Sequence, residues 1–304
     1  MMFGLRTEFA YLDCEECHCV QIASYPDDLG PYYPKDYYAF QSQPPVVQKG
    51  LLKLKSLVRS HVLENRYTRA LWLRRAATQA WLERETPLIR FYVDRFPSPS
   101  TRLLDVGCGI GALPHALRDW GFRFSDGVDP FIAADVVYNG RVSVWKRHLA
   151  EMPVGYDCIS FHHSLEHMPD QAKVLIDARK LLAKSGTVIV RVPIVGTMAW
   201  KTYRELWVQL DAPRHFYLHS EQSLRELARQ SGFVVESFEY DSTGLQFWGS
   251  ELYKRDIALF DARSPARNSN SIFSKAELAN FEREAQALNG QHDGDQVMAI
   301  LRPA

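Results

Sequence analysis

Residues 103–111, Leu-Leu-Asp-Val-Gly-Cys-Gly-Ile-Gly, constrain this chain more than any other stretch. A short apolar run ends in Asp105 and turns through Gly107, Gly109 and Gly111 into a segment of helical character. That is a strand feeding a glycine turn, where backbone N–H groups and a helix N-terminus face a ligand. A side chain at those glycines would hold the ligand away from the backbone. Eighteen residues past Gly111, a second apolar strand ends in Asp129, whose carboxylate can accept from both hydroxyls of a ribose. The pair reads as a pocket for an adenosine-containing cofactor. Gly107, Gly109 and Ala112 also satisfy the dinucleotide fingerprint G-x-G-x-x-A, so the glycines alone do not choose the cofactor.

The order of the motifs narrows the choice. The glycine segment, Gly-Val-Asp at 127–129, Tyr-Asp-Cys-Ile-Ser at 156–160 and Leu-Glu-His at 165–167 follow one another along the chain. Together they resemble the class I S-adenosylmethionine-dependent methyltransferases, closely over residues 98–238, and 295–303 looks like that fold's final strand. The resemblance implies a Rossmann-like, doubly wound α/β fold with a seven-stranded, mostly parallel sheet, and S-adenosyl-L-methionine as cofactor. It implies a cofactor turn at Gly107, Cys108, Gly109 and Gly111, with Asp105 bracing it, and a ribose contact at Asp129 and Pro130. His148 and Leu149 stand near the adenine position, where many members carry an acid, and His162 stands at the methionine end.

Periodicity supports such a fold independently. Strand and helix patterns alternate: strand 102–106, helix 111–120, a strand ending at Asp129, strand 141–145, strand 157–162, helix 170–183 and strand 187–192. Gly186 reads as the stop of helix 170–183, and the alternation implies a parallel sheet with helices on both faces. Residues 198–210 read as an amphipathic helix carrying Trp200, Tyr203 and Trp207. Ser220 caps a helix over 221–230, Gly232 closes it, and strand 233–238 follows. Residues 245–294 read as a mostly helical insertion with a Ser/Asn-rich break at 264–271, before a last strand at 297–301.

Methyl transfer from a sulfonium is an in-line displacement that aligns nucleophile, methyl and sulfur and often removes a proton from the nucleophile. His163, Glu166 and His167 are spaced i, i+3, i+4, so a helical turn would put them on one face. O-methyltransferases acting on quinone precursors carry Glu-x-x-Glu-His here and hold a divalent metal with it. In this chain His163 stands at the first position, a mixed set better suited to zinc or another transition metal than to magnesium. The alternative, that these residues orient the pocket without a metal, is the one expected. Asp-Ala-Pro-Arg-His at 211–215 resembles segments of bacterial relatives that modify sugars and surface polysaccharides. His215 is the expected general base, with His167 and Glu166 beside it as catalytic residues. Arg214, His163, Trp200 and Tyr203 are expected on the substrate, Arg214 for its bidentate grip on an anion.

Composition sets the outer limits. The 304 residues are 46% hydrophobic and 24% charged, with Lys+Arg and Asp+Glu both at 36, so no net field draws the chain to nucleic acid or membrane. No apolar run reaches membrane-spanning length and residues 1–6 lack a signal pattern, so a cytoplasmic protein without stable membrane insertion is expected. Five cysteines do not make a disulfide framework. Of the clustered Cys14, Cys17 and Cys19, Cys14 and Cys17 match the second Cys pair in the N-terminal zinc module of certain sugar methyltransferases, and Tyr32-Tyr33 and Tyr37-Tyr38 match its Tyr-rich segment, but the first Cys pair is missing and no zinc is expected. Eight Lys and Arg against one Glu in 49–75 read as a solvated helix face or a surface for an anionic substrate. The expected organisation is a Cys/Tyr-rich segment at 1–45, a helical extension at 46–97 and the cofactor-binding domain at 98–304. The expected activity is methyl transfer to a small-molecule hydroxyl, a sugar or polysaccharide precursor, and a homodimer is one expected assembly. A non-catalytic methyltransferase-like assembly protein and an NAD-dependent oxidoreductase are the rivals.

Overall fold

The computed structural model of the chain describes residues 2–33, 58–59, 85–138 and 141–304. Most of the expected helical extension, the basic run apart from Arg59, and Tyr37-Tyr38 lie outside the described residues. The chain divides into two compact units: residues 36–162 with 177–188, and residues 1–35 with 163–176 and 189–304. Residues 98–304 contribute to both units.

The first, glycine-turn unit is built on strands in the order β7-β3-β4-β6-β5. β3 (Arg102–Val106) runs parallel to β4 (Phe124–Val128) and to β7 (Tyr156–His162), and β4 runs parallel to β6 (Arg141–Trp145). The central strands are apolar runs rather than alternations, as strands covered on both faces must be. Leu103, Leu104, Val106, Ile159 and Phe161 are all buried. Helix α1 (Pro87–Arg95) begins behind Thr86, whose hydroxyl accepts from Ile89 N, and α2 (Ala112–Trp120) buries Leu117 and Trp120. Arg118 ties α2 to β4, donating through Nε to the Ser125 carbonyl at 2.7 Å and pairing with Asp126 at 2.5 Å.

An antiparallel edge strand, β5 (Val136–Tyr138), is absent from the sequence reading. Three residues are too few for a period to show. Tyr138 holds that edge by stacking on His115 and donating to Asp119 at 2.5 Å.

In the second, C-terminal unit the sheet order is β10-β11-β8. β8 (Leu182–Pro193) contributes its residues from Ile189 onward, and β10 (Phe233–Tyr240) is antiparallel to β11 (Gln296–Pro303). β5 is not among the seven strands expected. Helix α3 (Gln171–Leu181) stops five residues short of Gly186, which lies within β8. The glycine answers a close approach instead: a Cβ there would sit 2.8 Å from the Tyr156 carbonyl oxygen.

The expected helix over 198–210 is α4 (Met198–Tyr203) followed by two single 3-10 turns. Arg204 adopts a φ of 48°, which ends the α-helical run. α5 (Glu221–Gln230) carries the expected Ser220 cap, and the insertion holds α6 (Leu245–Lys254) and α7 (Lys275–Gly290) on either side of the expected break. β1 (Tyr11–Asp13) and β2 (Val20–Ile22) form a hairpin that pairs with β9 (Tyr217–Leu218). No helix among the described residues is long and apolar enough to cross a membrane.

Candidate functional site

The glycine turn leaves β3 at Val106 and enters α2 at Ala112. Gly107, Gly109 and Gly111 take φ of 71°, 55° and 88°, the left-handed region that other residues enter only under strain. At Gly111 a Cβ would also overlap Val144 Cγ2. Gly107 N donates to the Val128 carbonyl at 2.8 Å and Gly111 N to that of Cys108 at 3.0 Å, so the turn is laced to the end of β4.

Asp129 completes the lacing. Its Oδ2 accepts from Gly109 N and its Oδ1 from Phe131 N, both at 2.9 Å. Two oxygens with about four lone-pair sites between them still leave acceptor capacity for a ribose. Asp105, expected to brace the turn, instead accepts from Ser160 Oγ on β7 at 2.9 Å. Burial, with the charge of Asp129 adding to it, pushes the Asp105 carboxyl up to about 7, although Ser160 pulls the other way. The Cys108 thiol lies in the turn and is raised by burial, so it carries no reactive thiolate.

Pro130 leads into Phe131, which is 80% exposed. Sequence reasoning passed over Phe131, and its signal was a large aromatic directly after the acidic strand end. His148 is exposed, and its N–H donates to the Glu151 carboxylate at 2.7 Å in a cap of the turn Leu149–Glu151. That N–H is taken by the cap. His162 Nε2 is engaged by the Tyr92 hydroxyl at 2.9 Å.

The second cluster belongs to the C-terminal unit and comes from two segments zipped together. Phe216 N donates to the Glu166 carbonyl at 2.8 Å, and His167 Nδ1 donates to the Arg214 carbonyl at 2.8 Å. His215 Nδ1 donates to the Gln209 carbonyl at 2.7 Å, and the Tyr11 hydroxyl donates to the carbonyl of His215 at 2.8 Å. The His167 and His215 rings lie 4.7 Å apart, and His215 Nε2 lies 4.0 Å from Glu166 Oε1.

Glu166 is fully buried. Burial opposes its ionisation, yet His163, His167 and His215 hold its carboxyl down at about 2. Burial also lowers His167 and His215 to about 4, so near neutral pH an anion faces two uncharged imidazoles. Asp211 is raised by burial despite its ion pair with Arg214.

The expected face of His163, Glu166 and His167 does not form. Leu165–His167 is a single 3-10 turn, and His163 lies outside it at a φ of 50°. His163 Nδ1 approaches Glu166 Oε1 at 3.3 Å from that position. His215 is the residue that joins Glu166 and His167 instead.

Arg214 is buried against Asp211, with the Phe3 and Tyr33 rings 5.6 and 5.5 Å from its guanidinium carbon. Tyr203 and Trp207 pack into the core of the C-terminal unit, and Trp207 Nε1 donates to buried Asp295 at 2.9 Å. Trp207 is thus an anchor, and Trp200 packs against the same core half-buried. Cys14, Cys17 and Cys19 are all free thiols, and Cys19 turns inward to within 3.9 Å of His219 Nδ1.

Comparison with known proteins bears on the whole. A family model described as "Methyltransferase domain" matches residues 72–237, more than half of the chain. The chain is 31% identical over 110 residues to a ubiquinone biosynthesis O-methyltransferase of Xylella fastidiosa (strain 9a5c), covering 32% of this chain and 43% of that protein. It is 28% identical over 107 residues to the protein of the same name from Xanthomonas campestris pv. campestris (strain B100), covering 32% and 44%. The matched part is thus less than half the length of these curated relatives. Among solved structures, an S-adenosylmethionine-dependent methyltransferase from Archaeoglobus fulgidus aligns with a TM-score of 0.44 at 18% identity, over 71% of this chain and 91% of that one. On the family match, with the parallel strands and the glycine turn described above, the chain belongs to the methyltransferase-domain family and has the α/β architecture of its class I members.

Proposed function

We propose that the protein is an S-adenosylmethionine-dependent methyltransferase acting on a hydroxyl of a small molecule. The observation that carries this reading is the turn Gly107–Gly111 laced to Asp129, a backbone cradle with a carboxylate at its rim. In it the turn takes the methionine end of the cofactor and Asp129 takes the ribose. Exposed Phe131 offers a face to the adenine ring, and the backbone around Leu149 offers a further contact.

The acceptor side is assigned to Glu166, His167 and His215. His163 is the next residue of the chain after β7, so the segment carrying Glu166 and His167 leaves directly from the end of a strand of the glycine-turn unit. His215 Nε2 is the proton acceptor in this reading, because its Nδ1 is committed to the Gln209 carbonyl. Arg214 is committed to Asp211 and serves by fixing the loop that carries His215.

A sugar or polysaccharide precursor is one acceptor class, supported by the resemblance of residues 211–215. A phenolic hydroxyl is the second reading, and one observation favours it. Imidazoles brought down to about 4 are weak bases. A phenol that ionises at about 10, as tyrosine does, is far easier for them to deprotonate than an aliphatic alcohol. The relatives' name, ubiquinone biosynthesis O-methyltransferase, points the same way.

Calorimetry with S-adenosylmethionine, its demethylated product and NAD tests the cofactor, and binding of NAD alone overturns the proposal. Methyl transfer to panels of nucleotide sugars and of phenols then decides the acceptor. Cofactor binding with no transfer to either panel favours a non-catalytic assembly role.

A further inference from the structure

Glu166, His167 and His215 gather acceptor atoms with no donor hydrogen bond among them. Carbonyl oxygens only accept hydrogen bonds, so the contacts of His167 Nδ1 with Arg214 O and of His215 Nδ1 with Gln209 O put the ring hydrogen on Nδ1 in both residues. Each Nε2 is then left with its lone pair. Neither oxygen of the fully buried Glu166 carboxylate accepts a hydrogen bond from the described residues. One ligand atom from each of the three side chains lies within 4.8 Å of the other two. A buried carboxylate with neither oxygen hydrogen-bonded, beside imidazoles with an unprotonated Nε2, is unfavourable unless a cation sits among them.

Among the described residues the ion pairs that reach Glu166 come from histidines, His163 and His215, and from no Lys or Arg. Arg214, the nearest fixed positive charge in the loop, is committed to Asp211. Asp211 Oδ2 lies 3.7 Å from His215 Nε2 and adds a further acceptor. His163 approaches Glu166 Oε1 at 3.3 Å, but without the geometry of a hydrogen bond.

We infer that Glu166, His167 and His215 form a binding site for a single first-row transition-metal dication, with zinc the natural occupant. Two imidazole nitrogens and one carboxylate are a donor set for zinc or iron rather than for magnesium or calcium. Histidines that ligate a metal through Nε2 usually donate Nδ1–H to a carbonyl or carboxylate, which fixes tautomer and ring orientation. Both histidines here carry that second contact already. Bonds of about 2.1 Å place tetrahedral ligand atoms about 3.4 Å apart, so the cluster closes by roughly an ångström on loading.

The set is not the i, i+3, i+4 triplet that the sequence offers. His163 is outside it, and His215 enters from a loop distant in sequence. Three protein ligands leave coordination positions open, as in catalytic zinc sites. The inference rests on the acceptor-side assignment and changes the part of His215 in it: with Nε2 spent on the ion, His215 would no longer take the proton, and the ion would instead acidify a coordinated acceptor hydroxyl, whose proton passes to water.

The test measures metal binding by the full chain without cofactor or acceptor. Protein stripped with a chelator and then freed of it is titrated with Zn²⁺ by calorimetry and with Co²⁺ by visible absorption. One equivalent per chain, a d–d spectrum without a thiolate charge-transfer band, and a rise in melting temperature are expected. Glu166→Gln and His215→Ala should each weaken binding at least 100-fold, and His163→Ala by no more than a few-fold. Circular dichroism checks folding of each variant, and His167→Ala replaces any that does not fold.

Cys14→Ser/Cys17→Ser protein should bind as tightly as the wild type. The inference is overturned if the wild type binds neither ion. It is equally overturned if binding survives all three ligand substitutions or disappears with the two cysteines. Failure to bind S-adenosylmethionine with metal binding intact would sink the functional proposal and leave this one standing.

Discussion

The glycine turn and the histidine cluster solve the same problem, placing polar groups where a ligand can use them, by opposite means. The turn does it with backbone. Gly107, Gly109 and Gly111 bring main-chain groups forward, and one carboxylate, Asp129, laces them through Gly109 N and Phe131 N. The cluster does it with side chains from residues 166–167 and 215, held by contacts to main-chain carbonyls. A backbone site fails when a side chain is added, and a side-chain site fails when one is removed. Substitutions at the two should therefore separate binding from turnover.

The largest expected effect lies in the cluster. His215→Ala should lower methyl transfer by about 10²–10⁴-fold, the usual contribution of positioned proton transfer, and leave cofactor affinity within a few-fold. Loss of His215 as a metal ligand would act in the same direction. Isothermal titration beside steady-state kinetics reads both quantities. Cofactor affinity falling in step with turnover would show that the cluster also holds the cofactor, and the contrast would be gone.

Next in size is the opposite experiment. Gly111→Ala adds one Cβ at a φ of 88°, where it would overlap Val144 Cγ2. A residue forced into that region costs about 1–3 kcal/mol before the overlap is counted. Cofactor affinity should drop by about 100-fold, equivalent to about 2.7 kcal/mol. Zinc affinity of the cluster should be untouched. A Gly111→Ala protein that binds cofactor normally would show that the turn is not the cradle.

How far the sequence revealed each site follows from the same difference. The turn is contiguous and its chemistry is carried by absent side chains, so three glycines after an apolar run suffice to read it. The partners of the two carboxylates are not legible in this way: Asp105 and Asp129 both stand at strand ends, and only the fold shows that Gly109 N meets Asp129 while Asp105 meets Ser160. In the cluster each residue was singled out, but the partnership was not. The i, i+3, i+4 spacing presumes helical φ and ψ at His163, which instead sits at φ 50° outside the 3-10 turn. Pairing Glu166 with His215 depends on the Phe216 N to Glu166 O hydrogen bond between distant segments, which no local pattern encodes. β5 and the β1–β2 hairpin escaped because three-residue strands show no usable alternation.

A smaller effect is expected at Asp129. Asparagine keeps the shape and one acceptor oxygen, but its amide group turns a donor toward Gly109 N or Phe131 N. Hydrogen bonds to a charged group contribute about 1.5–3 kcal/mol each, and part of that loss falls on stability because the bonds exist without ligand. Asp129→Asn should bind cofactor about 10-fold or more weakly and melt at a lower temperature. Unchanged melting with weakened binding would mean that the lacing forms only around the ligand.

The smallest effect is set by pH, and here the two units should respond with opposite sign. Burial lowers His219 in the C-terminal unit from 6.5 to about 4, as it does His167 and His215. The unfolded chain takes up such a proton as pH falls through 6.5, and the folded chain not until about 4. That contribution to stability is complete above 6.5 and is lost on the way down to 4. Asp105 in the glycine-turn unit is raised from 3.8 to about 7, so the folded chain keeps a proton that the unfolded chain has released. Its contribution is complete below 3.8 and is lost as pH rises through 7. Between pH 5 and 6 one proton of difference changes the unfolding free energy by at most about 1.4 kcal/mol per pH unit. Denaturant melts across that window should therefore show the slope reduced in His219→Gln, since glutamine has no proton to take up. Asp105→Asn should steepen it by a similar amount, because the opposing term is removed. Slopes that move in the same direction in both variants would mean that burial does not set these two ionisations oppositely, and the electrostatic side of the comparison would fall.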